Sequence, residues 1–392
     1  MPQQLFTADQ VLPGPAGERI RDGAVLFQDG TLLLVGPRAD VEHLVSPTAE
    51  RHDFPGGTIL PGLINCHVHL VFDACGDPAR AAADATHADL VDRADRLLCS
   101  GVTTVRDLGD RDGLAIQFRN QRPRGPRIVA SGPPITIPDG HCWFLGGTAD
   151  GEAELRARVR HNAELGADVI KVMASGGQIT PNSPKMWDNQ FTTAELTAIV
   201  DEASKAGLPV AAHAHGTDAI AAAADAGVAT IEHCTWLRDG GGGYDLRDDV
   251  AAKIAERRIF ACVAWPSDWR GFMNRLGTAR ADLVGSRFEW MAEHGIRMIP
   301  GTDAGAGSSG FDDYAGALQL YEYLGFDRAD IIEMATTLSA EALGLGNITG
   351  QLAPGLAADI LVVEGDPLRD LANLGRLRRV VAKGQTTSMT TA

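Results

Sequence analysis

The 392-residue chain contains only six cysteines, and no two of them form a CxxC pair. Cys66, Cys75, Cys99, Cys142, Cys234 and Cys262 are scattered, which excludes a disulfide framework or a thiolate zinc knuckle and predicts reduced, mostly buried thiols. Long apolar runs are also missing: nowhere do 18 apolar residues follow one another, so no helical membrane span is expected. The first 14 residues lack the basic flank and apolar stretch of a secretory signal, and a cytoplasmic location is expected. Positive charge is scarce. Against 51 acidic residues stand 35 Lys and Arg, a net charge of −16, with no dense basic run. That balance excludes a nucleic-acid or anionic-membrane surface and points to a small-molecule partner; self-association into a homo-oligomer is compatible with it. What the chain does have is 44% apolar residues and enough length for one large α/β barrel or two ordinary domains.

The first 55 residues alternate short apolar strands with turns, and Asp29-Gly30 between two β-type runs signals a hairpin. From Thr58 onward the pattern becomes apolar strand, polar loop and longer amphipathic helix, the mark of parallel β/α units. Strands are expected at Thr58–Leu70, Gly101–Leu108, Arg127–Thr136, Ala167–Ala174, Leu208–His215, Val228–Trp236, Arg258–Trp265 and Ile296–Thr302. Between them, Thr192-Thr-Ala-Glu195 opens a helix as a capping box, and Gly207 closes it. After a helical stretch at Arg328–Leu345, short strands return at Ala358–Val363 and Arg379–Ala382. The expected architecture is a (β/α)8 TIM barrel over residues 58–348, with residues 1–57 and 349–392 joining in a small β-sandwich module.

In such a barrel the chemistry sits where the strands end. Strand one ends in Cys66-His67-Val68-His69, and period-two alternation turns both imidazoles to one side. Lys171 lies inside the apolar strand Ala167–Ala174, where a lysine is rarely buried without a partner. It is either half of a buried ion pair or a lysine that has lost its positive charge, for instance as a carbamate, and become an anionic oxygen ligand. Strand five ends in His213-Ala-His215, strand six in Glu232-His233, and strand eight in Thr302-Asp303. Imidazoles, a carboxylate and an oxygen anion are donors suited to Zn²⁺, Mn²⁺, Fe²⁺ or Co²⁺.

These segments carry a resemblance. Ile59-Leu-Pro-Gly-Leu-Ile-Asn-Cys-His67-Val-His69 resembles the opening strand of the amidohydrolase superfamily, and Gly350-Gln-Leu-Ala-Pro-Gly-Leu-Ala-Ala-Asp359 its closing segment. Thr103-Thr-Val-Arg-Asp107, Ile170-Lys171-Val-Met-Ala-Ser-Gly-Gly177, His213-Ala-His215-Gly and Ile231-Glu-His233 are similar to the group of prolidase-like and Xaa-Arg/Lys dipeptidases, ochratoxin-type amidases and imidazolonepropionase-like proteins. The resemblance implies two divalent ions, with zinc as the expected metal: one on His67, His69 and Asp303, the other on His213 and His233, bridged by a carbamylated Lys171. It favours His213 over His215 as the strand-five ligand and leaves His215 to touch substrate. His141 resembles a substrate-near histidine of a Gly-Gly-His-Gly segment, although Asp139 and Cys142 stand where glycines are usual. Arg106 and Asp107 are expected to form a structural ion pair at the bottom of strand two.

Two cations sharing a water lower its pKa from near 16 towards roughly 7, so hydroxide is available at neutral pH. The expected reaction is hydrolysis of an amide bond in a dipeptide or N-acyl amino acid, with Asp303 moving the proton and His215 or His141 stabilising the oxyanion. The same metals opening a lactone, carbamate or cyclic amide, and a catalytically inactive binding homologue, are the competing readings. The resemblance disfavours deamination, because deaminases of the superfamily usually place a Glu shortly after the strand-five histidine and generally lack the strand-four lysine, whereas here the run is His213-Ala-His215-Gly-Thr-Asp218 and Lys171 is present. Arg270 and Lys185 are the candidate anchors for a substrate carboxylate.

Overall fold

The computed structural model describes residues 2–74 and 76–387. Cys75 lies outside them; of the other five cysteines, all free, only Cys99 is exposed. Seven strands from the two ends of the chain share one sheet, in the order β15-β14-β13-β4-β1-β2-β3. They are β1 (Gln4–Val11), β2 (Ile20–Gln28), β3 (Thr31–Pro37), β4 (Glu50–Pro61), β13 (Ile360–Glu364), β14 (Leu377–Ala382) and β15 (Gln385–Thr386). The hairpin expected at Asp29-Gly30 is there, with Gln28 paired to Thr31 and both turn residues at positive φ, the geometry of a two-residue primed turn. Period-two alternation feeds both faces of this sheet. Phe6, Val25 and Phe27 enter one apolar cluster, while Leu5, Ala24 and Leu26 enter another.

The remaining eight strands are β5 (Leu63–Val68), β6 (Val102–Asp107), β7 (Arg127–Ala130), β8 (Ile170–Met173), β9 (Val210–Gly216), β10 (Thr230–Leu237), β11 (Phe260–Ala264) and β12 (Arg297–Gly301). All their pairings are parallel, and they fall into a three-stranded sheet β5-β6-β7 and a five-stranded sheet β12-β11-β10-β9-β8. Each was expected from the sequence. β7 and β8 are shorter than the expected Arg127–Thr136 and Ala167–Ala174, and the run expected as a single strand from Thr58 to Leu70 breaks at Gly62. Thr58–Pro61 pair with β13 in the seven-stranded sheet, and only Leu63–Val68 pair with β6. Gly62 has no room for a side chain, since a Cβ there would lie 2.0 Å from Thr103 Oγ1.

Single bridges tie the two parallel sheets to each other. Val68 bridges Ala304 beyond β12, and Ile135 beyond β7 bridges Val172 in β8. The first contact includes Asp303 N–H donating to His67 O at 2.9 Å, and the second Ile135 N–H donating to Lys171 O at 2.8 Å. Both contacts position chemistry-bearing residues. Helices fill the connections as the polar patterning requires. Thr193–Lys205 begins with the Thr192/Glu195 capping box and is followed by Gly207 at φ +70°. No helix among the described residues is long and apolar enough to cross a membrane.

Candidate metal centre

His67, His69, His141, Lys171, His213, His215, His233 and Asp303 all line one cavity of about 140 Å³ at the C-terminal ends of the parallel strands. Every expected metal donor, with His141 and His215, is therefore brought to it. Alternation along β5 aims His67 and His69 to the same side, and the Asp303–His67 backbone bond sets the carboxylate beside them. Gly301 allows this approach, because a Cβ there would sit 2.7 Å from His67 Cβ.

The hydrogen bonds behind these rings fix which nitrogen faces inward. His67 Nδ1 is 3.0 Å from Glu232 Oε2, and His69 Nδ1 is 3.2 Å from Gly109 O. Both partners are pure acceptors, so each Nδ1 carries the proton and each Nε2 keeps its lone pair. Those two lone pairs point at Asp303 Oδ1, at 3.4 Å and 3.2 Å. Three acceptors converging without a proton among them is the arrangement a bound cation stabilises. The donor set fits a divalent metal. Burial opposes ionisation of Asp303, while His67, His69 and Lys171, where they carry a proton, hold its pKa well below the usual carboxylate range; with the rings neutral, a bound cation would supply that stabilisation.

On the other side His213, His215 and His233 gather closely enough to share an ion. The His213 and His233 rings are 4.7 Å apart, and His215 stacks on His233 at 4.5 Å. His213 Nε2 donates to Gly176 O at 3.1 Å, leaving Nδ1 as its free donor atom, and His215 Nδ1 engages Thr235 Oγ1 at 2.8 Å. Burial, then the neighbouring imidazoles, push His213 and His233 far below the ordinary histidine range. Burial chiefly brings His67 and His141 to about 4 and His215 to about 3. The rings are neutral at physiological pH, the form that ligates metals.

Lys171 is the unexplained group. Its side chain is 1% exposed, and its Nζ is buried with no hydrogen-bond partner. The nearby Glu232 does not pair with it, because Glu232 is already engaged by Arg106 at 2.8 Å, Thr230 and His67. This corrects the expected Arg106–Asp107 ion pair. Both residues lie at the C-terminal end of β6, not its bottom, and Arg106 reaches across to Glu232 and to Cys66 O at 2.8 Å. Asp107 instead accepts the backbone N–H groups of Leu70 and Gly109. Glu232 was visible in the sequence only as a residue beside His233; its role as the anchor of His67 depends on a contact 165 residues away.

His141 lines the cavity with its Nδ1 on Thr180 Oγ1 at 3.1 Å, and Gly177 leaves room for the ring. Asp139 and Cys142, the two positions where glycines are usual, both adopt left-handed backbone, at φ +55° and +56°. Two donor residues share that conformation: His233 at φ +65° and Asp303 at φ +55°. Neither Arg270 nor Lys185 lines the cavity. Arg270 is exposed, bonded to Gln319 and stacked over Trp269, and Lys185 is exposed in a turn capped by Asp188. The wall facing the donors is instead Met173, Gln178, Ile179 and Met186.

Parallel β/α units with convergent donors at their strand ends define a hydrolytic enzyme scaffold. Residues 58–387 match the model of the amidohydrolase family, and the chain belongs to that family. It is 28% identical to ochratoxinase of Aspergillus niger over 94% of this chain and 82% of that protein. The crystal structure of that ochratoxinase superposes with a TM-score of 0.83 at 26% identity, covering 98% of this chain and 95% of the other. Imidazolonepropionase of Mesorhizobium japonicum is 24% identical over 88% of this chain and 86% of its own length. A Xaa-Pro dipeptidase crystallised with methionine in its active site, at 23% identity, shares the fold with a TM-score of 0.83 over 98% of this chain and 99% of that one.

Proposed function

We propose that the protein is a binuclear metal-dependent amidohydrolase that cleaves the amide bond of a small peptide-like substrate, a dipeptide or an N-acyl amino acid. The observation that carries this reading is the buried Nζ of Lys171, without a partner and within electrostatic reach of His67, His213, His233 and Asp303. Burial disfavours its ammonium form, and the neutral amine is the form that takes up carbon dioxide. The carbamate offers two oxygens. His67, His69 and Asp303 would hold one ion and His213 and His233 a second, carbamylated Lys171 would contribute oxygen donors to both, and zinc is the expected metal.

Bound divalent ions supply Lewis acidity and a water that ionises near neutral pH. The residues of the chain do the rest. Asp303, kept as a carboxylate, accepts the proton of the attacking water and passes it to the leaving nitrogen. His215, oriented by Thr235, and His141, oriented by Thr180, each keep Nε2 available for the oxygen of the scissile carbonyl. Within the same reading the eight parallel strands close into a (β/α)8 barrel, and the terminal segments form a composite β-sandwich. The pairing of Thr58–Pro61 with β13 favours a boundary at Gly62 over the one after residue 57.

Metal-replete protein should carry about two divalent ions per chain by elemental analysis. It should hydrolyse members of a panel of dipeptides and N-acyl amino acids, with lactones and carbamates as comparison, and lose that activity to a chelator. Absence of bound metal, or turnover indifferent to chelators, overturns the reading.

A further inference from the structure

A second cavity, of about 510 Å³, opens at the opposite ends of the parallel strands. Arg127 begins β7, Asp168 precedes β8 and Leu208 precedes β9, while Lys383 reaches in from the turn after β14. The cavity thus lies where the seven-stranded sheet meets the parallel unit, the kind of junction where ligands collect. Its floor is apolar, made by Ile128, Val129, Leu208, Leu343 and Leu345. Its rim is cationic. Arg119, Arg122, Arg127 and Lys383 face a single lining carboxylate, Asp168, in a chain of net charge −16.

The cations are unevenly satisfied. Arg119 pairs with Asp168 and Arg122 with Asp95. Arg127 reaches Asp359 only at 3.4 Å, and its Nε is buried without a partner. Asp359 also accepts the backbone N–H of Lys383 at 2.6 Å, whereas the Lys383 ammonium makes no ion pair among the described residues. Burial, then the repulsion of Arg127 and Arg122, lower the Lys383 pKa against the opposing pull of Asp359, a carboxylate already shared with Arg127 and the Lys383 backbone N–H. An anion at the rim would relieve that repulsion, and a hydrocarbon attached to it would cover the leucines.

We propose that this cavity binds a small amphiphilic anion, its carboxylate or phosphate head on Lys383 and Arg127 and its hydrocarbon on Leu208, Leu343 and Leu345. The site does not depend on the metal centre or on the reaction proposed there.

The test is calorimetric titration of the full metal-loaded protein with octanoate, octyl phosphate, octylamine and inorganic phosphate. One equivalent of octanoate or octyl phosphate should bind, and the stronger of the two identifies the head group. Octylamine and inorganic phosphate should bind at least about tenfold more weakly, since each lacks one half of the match. Lys383→Met should weaken the octyl anion by roughly tenfold while metal content and amide turnover stay unchanged. Leu345→Ser should flatten the gain in affinity from hexanoate to decanoate. The proposal is overturned if neither octyl anion binds, if octylamine binds as well as octanoate, or if Lys383→Met leaves the affinity where it was.

Discussion

The two donor clusters of the site are neighbours, yet they are wired differently. The cluster of His67, His69 and Asp303 contains its own carboxylate, and both imidazoles have the outer nitrogen tied to an acceptor, one of them the buried Glu232–Arg106 pair. The cluster of His213, His215 and His233 contains imidazoles only, and beyond burial His215 depresses the basicity of both His213 and His233. A divalent ion entering the first cluster meets a ready negative charge. An ion entering the second meets none among its imidazoles, and Lys171 is the cavity residue that the proposed function turns into an anion. Under the proposed function, the difference makes occupancy of the second cluster conditional upon the chemistry of a lysine, whereas the first already holds a carboxylate beside its imidazoles.

The most severe way to break this contrast is Lys171→Ala. It should empty the second cluster, leave the first able to bind one ion, and reduce turnover by about three orders of magnitude or more. Partial recovery with a short carboxylic acid and fresh metal is expected; a fully active variant would refute the dependence. Next come the two histidines of β9. His213→Ala should lower metal content and rate together, while His215→Ala should keep both ions and lower kcat by about 10²-fold, as measured by elemental analysis beside steady-state kinetics. The reverse pattern would exchange their roles. Glu232→Gln sharpens the comparison from the other side: by loosening His67 it should weaken binding at the first cluster by about 10- to 100-fold in a chelator competition, without touching a donor atom.

Acid titration of the metal-free protein gives a smaller, graded effect. Histidines held at about 4 (His67, His141) and about 3 (His215) bind fewer protons when folded than when unfolded, where the value is near 6.5. Their contribution is therefore fully present above pH 6.5 and is lost as pH falls through the window down to about 4 and then 3. Each such ring adds a slope of about 1.4 kcal/mol per pH unit inside that window. Denaturant melts at stepped pH would measure it, and a flat profile between pH 6.5 and 4.5 would contradict the buried neutral rings. Smallest of all, Arg270→Ala and Lys185→Ala should change kcat/KM by less than about twofold, since neither side chain reaches the cavity.

The donors were legible in the sequence because each ends an apolar strand, and period-two alternation states which residues share a side. The strands themselves were legible for the same reason, and so was the Thr192/Glu195 capping box, whereas the one at Thr86/Asp89 was not singled out. Contacts made across the fold were not. Arg106 stands next to Asp107 in the chain, so an ion pair between them looked natural. Adjacent residues of a strand point to opposite faces, however, and Arg106 finds Glu232 on β10, 126 residues later. The break at Gly62 was invisible in hydrophobicity, because the residues on both sides are apolar and only the neighbouring Thr103 side chain forces a bare backbone there. Arg270 and Lys185 were proposed from their loops, and loop position does not specify which way a long side chain turns.

The left-handed torsions of His233 and Asp303 have a consequence for the history such a chain can have. Histidine, aspartate and asparagine visit that region more readily than most side chains, and glycine without penalty, while β-branched residues are nearly shut out. Drift at these two positions is therefore channelled by the peptide geometry, whatever becomes of the reaction. A descendant that abandoned hydrolysis would gain on the order of 1–3 kcal/mol from each torsion it relaxed. Glycine or asparagine at 233 or 303 in an otherwise intact homologue would thus mark a recent loss, and isoleucine or valine there an old one in which the backbone has already been rebuilt.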